Sequence, residues 1–140
     1  MNMKRLILAI VSGFILIFVT DFLIHAVWLM PDYNATRSLW RPESEMNARF
    51  PWMLAAQFLC AAVVAIVWAI GFANRGSFGL AIAYGLLLGI LVNTSAIVSY
   101  VVTPMPGAIA AKWFVSGLVQ AILLGIAVAL IYRPRLGSRG

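Results

Sequence analysis

Asp21 and His25 stand four residues apart inside an otherwise apolar stretch, with Trp28 close to one further turn along. On a helix that spacing brings both ionisable groups onto one face. A carboxylate beside an imidazole can hold a proton, a cation or a small polar molecule, and a chain keeps such groups in apolar surroundings only when they are paired or used. Other polar residues interrupt the later apolar stretches. Gln57 lies in the second, Asn93, Thr94, Ser95, Ser99 and Tyr100 in the third, and Lys112, Ser116 and Gln120 in the fourth. The last three recur every four residues and make one continuous stripe. The candidate binding cluster is therefore Asp21, His25, Gln57, Asn93, Tyr100, Lys112, Ser116 and Gln120.

Several chemistries lack their parts. His25 is the only histidine, so a monomer offers neither two axial imidazoles for a b-type haem nor a three-histidine zinc site. A single-ligand haem or chlorophyll-like pigment on His25 is the one cofactor arrangement left, and the expectation is no cofactor and no metal. P-loop, GxGxxG and HExxH patterns are absent. Asp21, Asp32, Glu43 and Glu45 are all the acids there are, and no nucleophile and base share a plausible depth, so no catalytic residues and no enzyme are expected. Cys60 is single, which excludes an internal disulfide and a CxxC motif, and it reads as a buried inert thiol.

These polar residues must be positioned by unusually apolar elements. Of 140 residues, 64% are hydrophobic and only 10% are charged, and the mean hydropathy is +1.00. A soluble domain needs about a quarter of its residues charged, and disorder needs low hydrophobicity, so both classes are excluded. The pattern predicts four membrane-spanning helices over about 6–30, 51–73, 78–103 and 108–132, each near the ~20 residues that cross a ~30 Å hydrocarbon core. The basic start resembles a signal peptide. The length of the first run, Asp21 and His25 within it, and the lack of a small-x-small site point to an uncleaved span instead. Short breaks at 74–77 and 104–107 predict an all-α, antiparallel up-down bundle, with the third span beside both the second and the fourth.

Orientation follows from the basic residues. Lys4, Arg5, Arg75, Arg133, Arg135 and Arg139 fall on one side without acids, whereas Arg37, Arg41 and Arg49 share the other with Asp32, Glu43 and Glu45. The positive-inside bias puts both termini in the cytoplasm, and Trp28, Trp40, Trp52 and Trp113 then mark the outer interface. The net charge of +6 is thus a topology signal rather than a sign of nucleic-acid binding. The outer segment 31–50 is expected to carry a short surface helix from about Pro42 to Arg49, over the bundle mouth. The Asn34-Ala35-Thr36 sequon is discounted, since it matters only in a secretory eukaryotic context.

Measured inward at the helical rise, Asp21 and Asn93 lie about 14–15 Å deep and His25, Gln57 and Lys112 about 8–9 Å, with Gln120 deeper than Asp21. The outer half of the bundle is therefore polar and the inner half apolar, a pattern for an outward cavity or a hydrogen-bonded plug. In one reading Asp21 accepts hydrogen bonds from His25, Asn93 or Lys112 and the network fixes helix register. In the other the cluster binds a proton, ion, small molecule or cofactor. Lys112 also has the simpler reading of an amine snorkelling to the headgroups. Gly85 and Gly89 form a GxxxG motif, and Gly117, Ala121 and Gly125 a matching ridge, read most simply as the contact between the third and fourth spans.

The pattern Asp21-x3-His25, Tyr33, and Thr36 through Met46 with its Leu39-Trp40-Arg41-Pro42 core resembles a family of small uncharacterised bacterial four-span membrane proteins. Tyr84-Gly85, Pro104-Met105-Pro106, Lys112-Trp113-Phe114 and Ile131-Tyr132-Arg133-Pro134 extend the resemblance over nearly the whole chain. Relatives carry glycine after the histidine and an acid in the fourth span, where this chain has Ala26 and Gln120. The resemblance implies a multi-pass protein of the bacterial inner membrane and no reaction. The resulting expectation is a non-enzymatic accessory or structural subunit, partnered by lipid and by other membrane subunits or itself. The alternative is an ion, proton or small-molecule binding or transport protein built around Asp21 and His25.

Overall fold

The computed structural model describes residues 2–132. Arg133, Pro134, Arg135 and Arg139, which entered the charge count and the end motif, lie outside the described residues. Helix α1, Met3–Asp21, starts where the Asn2 side chain accepts the Arg5 N–H at 3.2 Å. It runs directly into a π-helical stretch, Phe22–Trp28, which closes with the Leu29 N–H donating to the Ile24 carbonyl at 2.9 Å. A short helix α2, Met30–Ala35, has Pro31 in its first turn and is followed by a 3₁₀ turn, Arg37–Leu39. Three long helices complete the chain: α3, Glu43–Gly71; α4, Phe78–Val102; and α5, Gly107–Ile131. The described residues contain no strand. Four stretches, Met3–Trp28, Glu43–Gly71, Phe78–Val102 and Gly107–Ile131, are long and apolar enough to cross a membrane.

The structure differs from the sequence expectation at the start of α3. The surface helix expected from Pro42 to Arg49 is instead the first turns of α3, and Pro51, expected to open the second span, lies inside it. Pro42 stops the preceding chain, Glu43 and Glu45 occupy the positive end of the helix, and Glu45 pairs with Arg41 at 3.2 Å and Arg49 at 3.4 Å. These local contacts carry the helix through the one backbone hydrogen bond that proline cannot donate.

Lateral order is set by small residues. A methyl group built on Gly13 of α1 would meet Leu124 of α5 at 3.0 Å and Ala61 of α3 at 3.4 Å, so α1 lies between these two helices. Along the α4–α5 seam Gly125 meets Ala81, Gly85 meets Ala121 and Ile122, and Gly89 meets Leu118 and Ala121. The expected glycine contact is therefore present. The third span does not lie along the second, however. Helix α4 meets α3 around Tyr84, whose hydroxyl donates to the Val64 carbonyl at 2.6 Å and whose ring lies 5.3 Å from that of Trp68. Tyr84→Phe should therefore cost about 1 kcal/mol in detergent unfolding while leaving the Trp68 emission unshifted.

Apolar packing gathers at the two ends. The main core surrounds Ala9, Ala61, Ala65, Trp68 and Val128, all almost fully buried. At the opposite end Met105, Ile109 and Ala110 pack with Tyr33, Leu39, Trp40 and Trp113. The polar residues lie between these two clusters. Cys60 is exposed on α3, not buried as expected, because the inward face there is taken by Gln57, Ala61 and Val64.

Candidate functional site: a polar cleft at Asp21 and His25

Asp21, the last residue of α1, is held from two sides. Its Oδ2 accepts the Gln57 amide of α3 at 2.5 Å, and its Oδ1 accepts the Gln120 amide of α5 at 2.7 Å. The same Gln120 nitrogen also donates to the Thr20 hydroxyl at 2.7 Å, and that hydroxyl donates back to the Leu16 carbonyl at 2.7 Å. The partners expected from sequence, His25, Asn93 and Lys112, are not the ones used. With α1 between α3 and α5, the amides of those two helices reach Asp21 first. Gln57 is thus level with Asp21 rather than shallower. The depth count from Pro51 misplaced it because α3 begins a full eight residues earlier.

His25 sits in the middle of the π-helical stretch, and its Nδ1 lies 2.6 Å from the Tyr33 hydroxyl of α2. That hydroxyl accepts the Trp113 Nε1–H at 2.7 Å. The indole only donates, so the Tyr33 oxygen accepts there, and its hydrogen or its second lone pair can meet Nδ1 in either His25 tautomer. The rings of His25 and Tyr33 stack at 6.1 Å, and Trp40 closes on Tyr33 at 5.3 Å and on Trp113 at 5.9 Å. The Lys112 ammonium pairs with Asp32 of α2 at 2.7 Å and lies 5.4 Å from the centre of the Trp28 ring. Together these contacts pin the segment from Met30 to Trp40 across the start of α5.

Below this flap is a cleft of about 260 Å³. Asp21, Ile24 and His25 form one wall, Asn93, Ser95, Ala96 and Ser99 of α4 a second, and Trp113, Ser116, Gly117 and Gln120 of α5 the third. The Asn93 amide donates to the Gly89 carbonyl at 2.8 Å, and its side chain is pressed against Gly117 where any larger residue would displace it. Ser95 and Ser116 donate to the carbonyls of Val92 at 2.8 Å and Lys112 at 2.7 Å, so their lone pairs are left for the cleft. Of the expected cluster, Asp21, His25, Asn93, Ser116 and Gln120 meet here, and Gln57 stands behind Asp21. Lys112 is turned to Asp32, and Tyr100 is exposed with its ring against Gly107, so neither lines the cleft. Asp21 and His25 are the acid–base groups on its walls, and no three of His, Cys, Asp and Glu gather among the described residues.

Sequence reasoning missed Tyr33, Thr20 and the role of Asp32. Asp32 and Tyr33 follow Pro31 in a stretch that reads as loop, and Thr20 stood out only by its place beside Asp21. Burial pushes the Tyr33 phenol above its ordinary value of 10.0, opposed by the Trp113 hydrogen bond and reinforced by Asp32. A raised phenol pKa means that the folded state keeps a proton that the unfolded state loses. The flap should therefore be undisturbed below about pH 10 and lose stability as the pH rises beyond it. In a Tyr84→Phe background tyrosinate absorbance should show one tyrosine titrating late, and adding Tyr33→Phe should remove that late component and shift the Trp113 emission. A late component that survives the addition of Tyr33→Phe to that background overturns the assignment.

The fold and site define an all-α bundle of four long apolar helices with a polar cleft beneath an aromatic flap. No family model, curated protein or solved structure matches the chain.

Proposed function

We propose that the chain is a multi-pass protein of the bacterial inner membrane that binds a small polar solute in the outward cleft at Asp21 and His25, without catalysing a reaction. The four long helices cross in antiparallel, up-down order with both termini in the cytoplasm. The residue pairing along the α4–α5 seam supports that order, and Asn2, whose N–H donates to the Tyr132 hydroxyl at 3.0 Å, supports a common side for both ends. The observation that carries the reading is the cleft itself: an ionisable pair in apolar helices opens onto about 260 Å³ of polar-walled space instead of being packed shut. A cysteine placed at position 40 should be labelled from outside intact cells, and labelling from the cytoplasm would overturn the topology. Asp21→Asn with His25→Gln should abolish solute binding by the purified protein, and unchanged binding would remove the cleft from the reading.

The accessory-subunit role is the second reading. The glycine ridges that motivated it are consumed inside the chain at the α4–α5 seam. What favours it now is the start of α3, where Met46, Phe50 and Trp52 are exposed next to the charged turn. Under this reading a stoichiometric partner accompanies the protein through mild-detergent purification, and a protein that runs alone counts against it.

A further inference from the structure

Resting on the solute-binding reading of the cleft, we propose that its ligand is a compact organic cation, an ammonium group carrying a few carbons, with Asp21 as counter-ion and Trp113 as an apolar and cation–π wall. Charge sets the sign. Among the described residues no Lys or Arg lines the cleft, and Lys112, next to Trp113 of the wall, is already committed to Asp32 at 2.7 Å and to the Trp28 face. The two groups that hold Asp21 are neutral amides, which supply hydrogen bonds and no charge. The charge of an ionised Asp21 is therefore matched by neither of its partners, and a cation in the cleft would supply the match. It also retains capacity, because two oxygens have about four lone-pair positions and one amide contact is seen on each.

The walls agree with the sign. Ser95 and Ser116 spend their hydroxyl hydrogens, and Asn93 one of its two amide hydrogens, on backbone carbonyls of their own helices, so each has oxygen lone pairs to offer an occupant. Behind Asp21, Gln57 is 6% exposed and its Oε1 has no hydrogen-bond donor. This is one more acceptor in a region already short of donors. An anion would face the Asp21 carboxylate and these oxygens, with the second Asn93 amide hydrogen and the His25 ring as the groups able to meet it. Size separates an organic from an inorganic cation. At about 260 Å³ the cleft is near the lower edge of the ~300–1,000 Å³ typical of small-molecule sites, and far larger than the cage of a bare ion. Trp113 on the wall suits methylated or alkyl ammonium, since an indole face attracts cations.

The test uses the purified full chain in detergent, titrated separately with propylammonium, tetramethylammonium, propanol and propionate while melting temperature and tryptophan emission are followed. Either ammonium ion should raise the melting temperature saturably and perturb the emission, with propanol and propionate inert, and Asp21→Asn should weaken the ammonium response at least tenfold. Propanol or propionate acting as strongly as the ammonium ions, or an ammonium response unchanged in Asp21→Asn, would overturn the cation assignment and leave the cleft as a solute site. No saturable response to any of the four would overturn the cleft reading with it. Should Asp21→Asn fail to fold, the comparison of the four probes on the native chain decides alone.

Discussion

Gly85→Ala should destabilise the bundle by about 2–3 kcal/mol, at the upper end of overpacking costs, although it adds a single methyl group. The added carbon would lie 2.5 Å from the Ala121 carbonyl oxygen and 2.7 Å from the Ile122 Cα. Both are backbone atoms of α5, so no rotamer change relieves the clash and the two helices must separate. Gly125 is in the same position, with the Ala81 oxygen at 2.7 Å and the Gly85 Cα at 3.0 Å, so Gly125→Ala should behave alike. Gly79 and Gly71 have nothing within 4 Å, and alanine there should be neutral or stabilising by a few tenths to about 1 kcal/mol. Unfolding by a denaturing detergent in mixed micelles measures all four variants. Equal midpoints for the changes at 85 and 79 would mean that the α4–α5 seam does not hold the bundle.

The second large effect is expected at Asp21. Asp21→Ala leaves the Gln57 amide with no acceptor and Gln120 with the Thr20 hydroxyl and a longer reach to Ile17. Hydrogen bonds inside membranes average about 0.6 kcal/mol and reach about 1.7, and a stranded buried donor adds about 1–3. A loss of about 2–3 kcal/mol follows. Asp21→Asn keeps an acceptor oxygen for one amide and should lose under about 1 kcal/mol, which separates the structural role of this residue from its charge. In a double-mutant cycle Asp21 and Gln120 should couple, whereas Asp21 and Lys112 should be additive, because Lys112 answers to Asp32. Strong coupling of Asp21 to Lys112 would reverse the assignment of partners.

Both expectations concern residues that stood out in the sequence, for different reasons. Gly85, Gly89, Gly117 and Gly125 were legible because small residues four apart on an apolar helix have few uses other than close approach. Asp21 was legible because a carboxylate in an apolar stretch is costly. Its partners were not. The choice among His25, Asn93, Lys112, Gln57 and Gln120 depends on which helices flank α1, and spacing along one helix carries no information about that. Tyr33 was missed for a similar reason: the chain turns at Leu29, and only the fold-back of α2 brings its hydroxyl to both His25 and Trp113. The second span was read from Pro51 because that proline looks like a helix opener, so the helix read over 42–49 and the span after it stood as two elements where the chain forms one.

From the sequence alone came the all-α class, four long apolar helices, the polar residues set among them and the small-residue seam. Each follows from a local property, hydrophobic length or helical period, that a chain carries along itself. Tertiary structure alone decided that α1 lies between α3 and α5, that two glutamine amides hold Asp21, that Lys112 faces Asp32, and that Tyr33 meets His25. Those facts are lateral: they depend on where the backbones can approach, which Gly13 and the α4–α5 glycines set, and hydrogen-bond partners then fall to whichever side chains that order brings within reach.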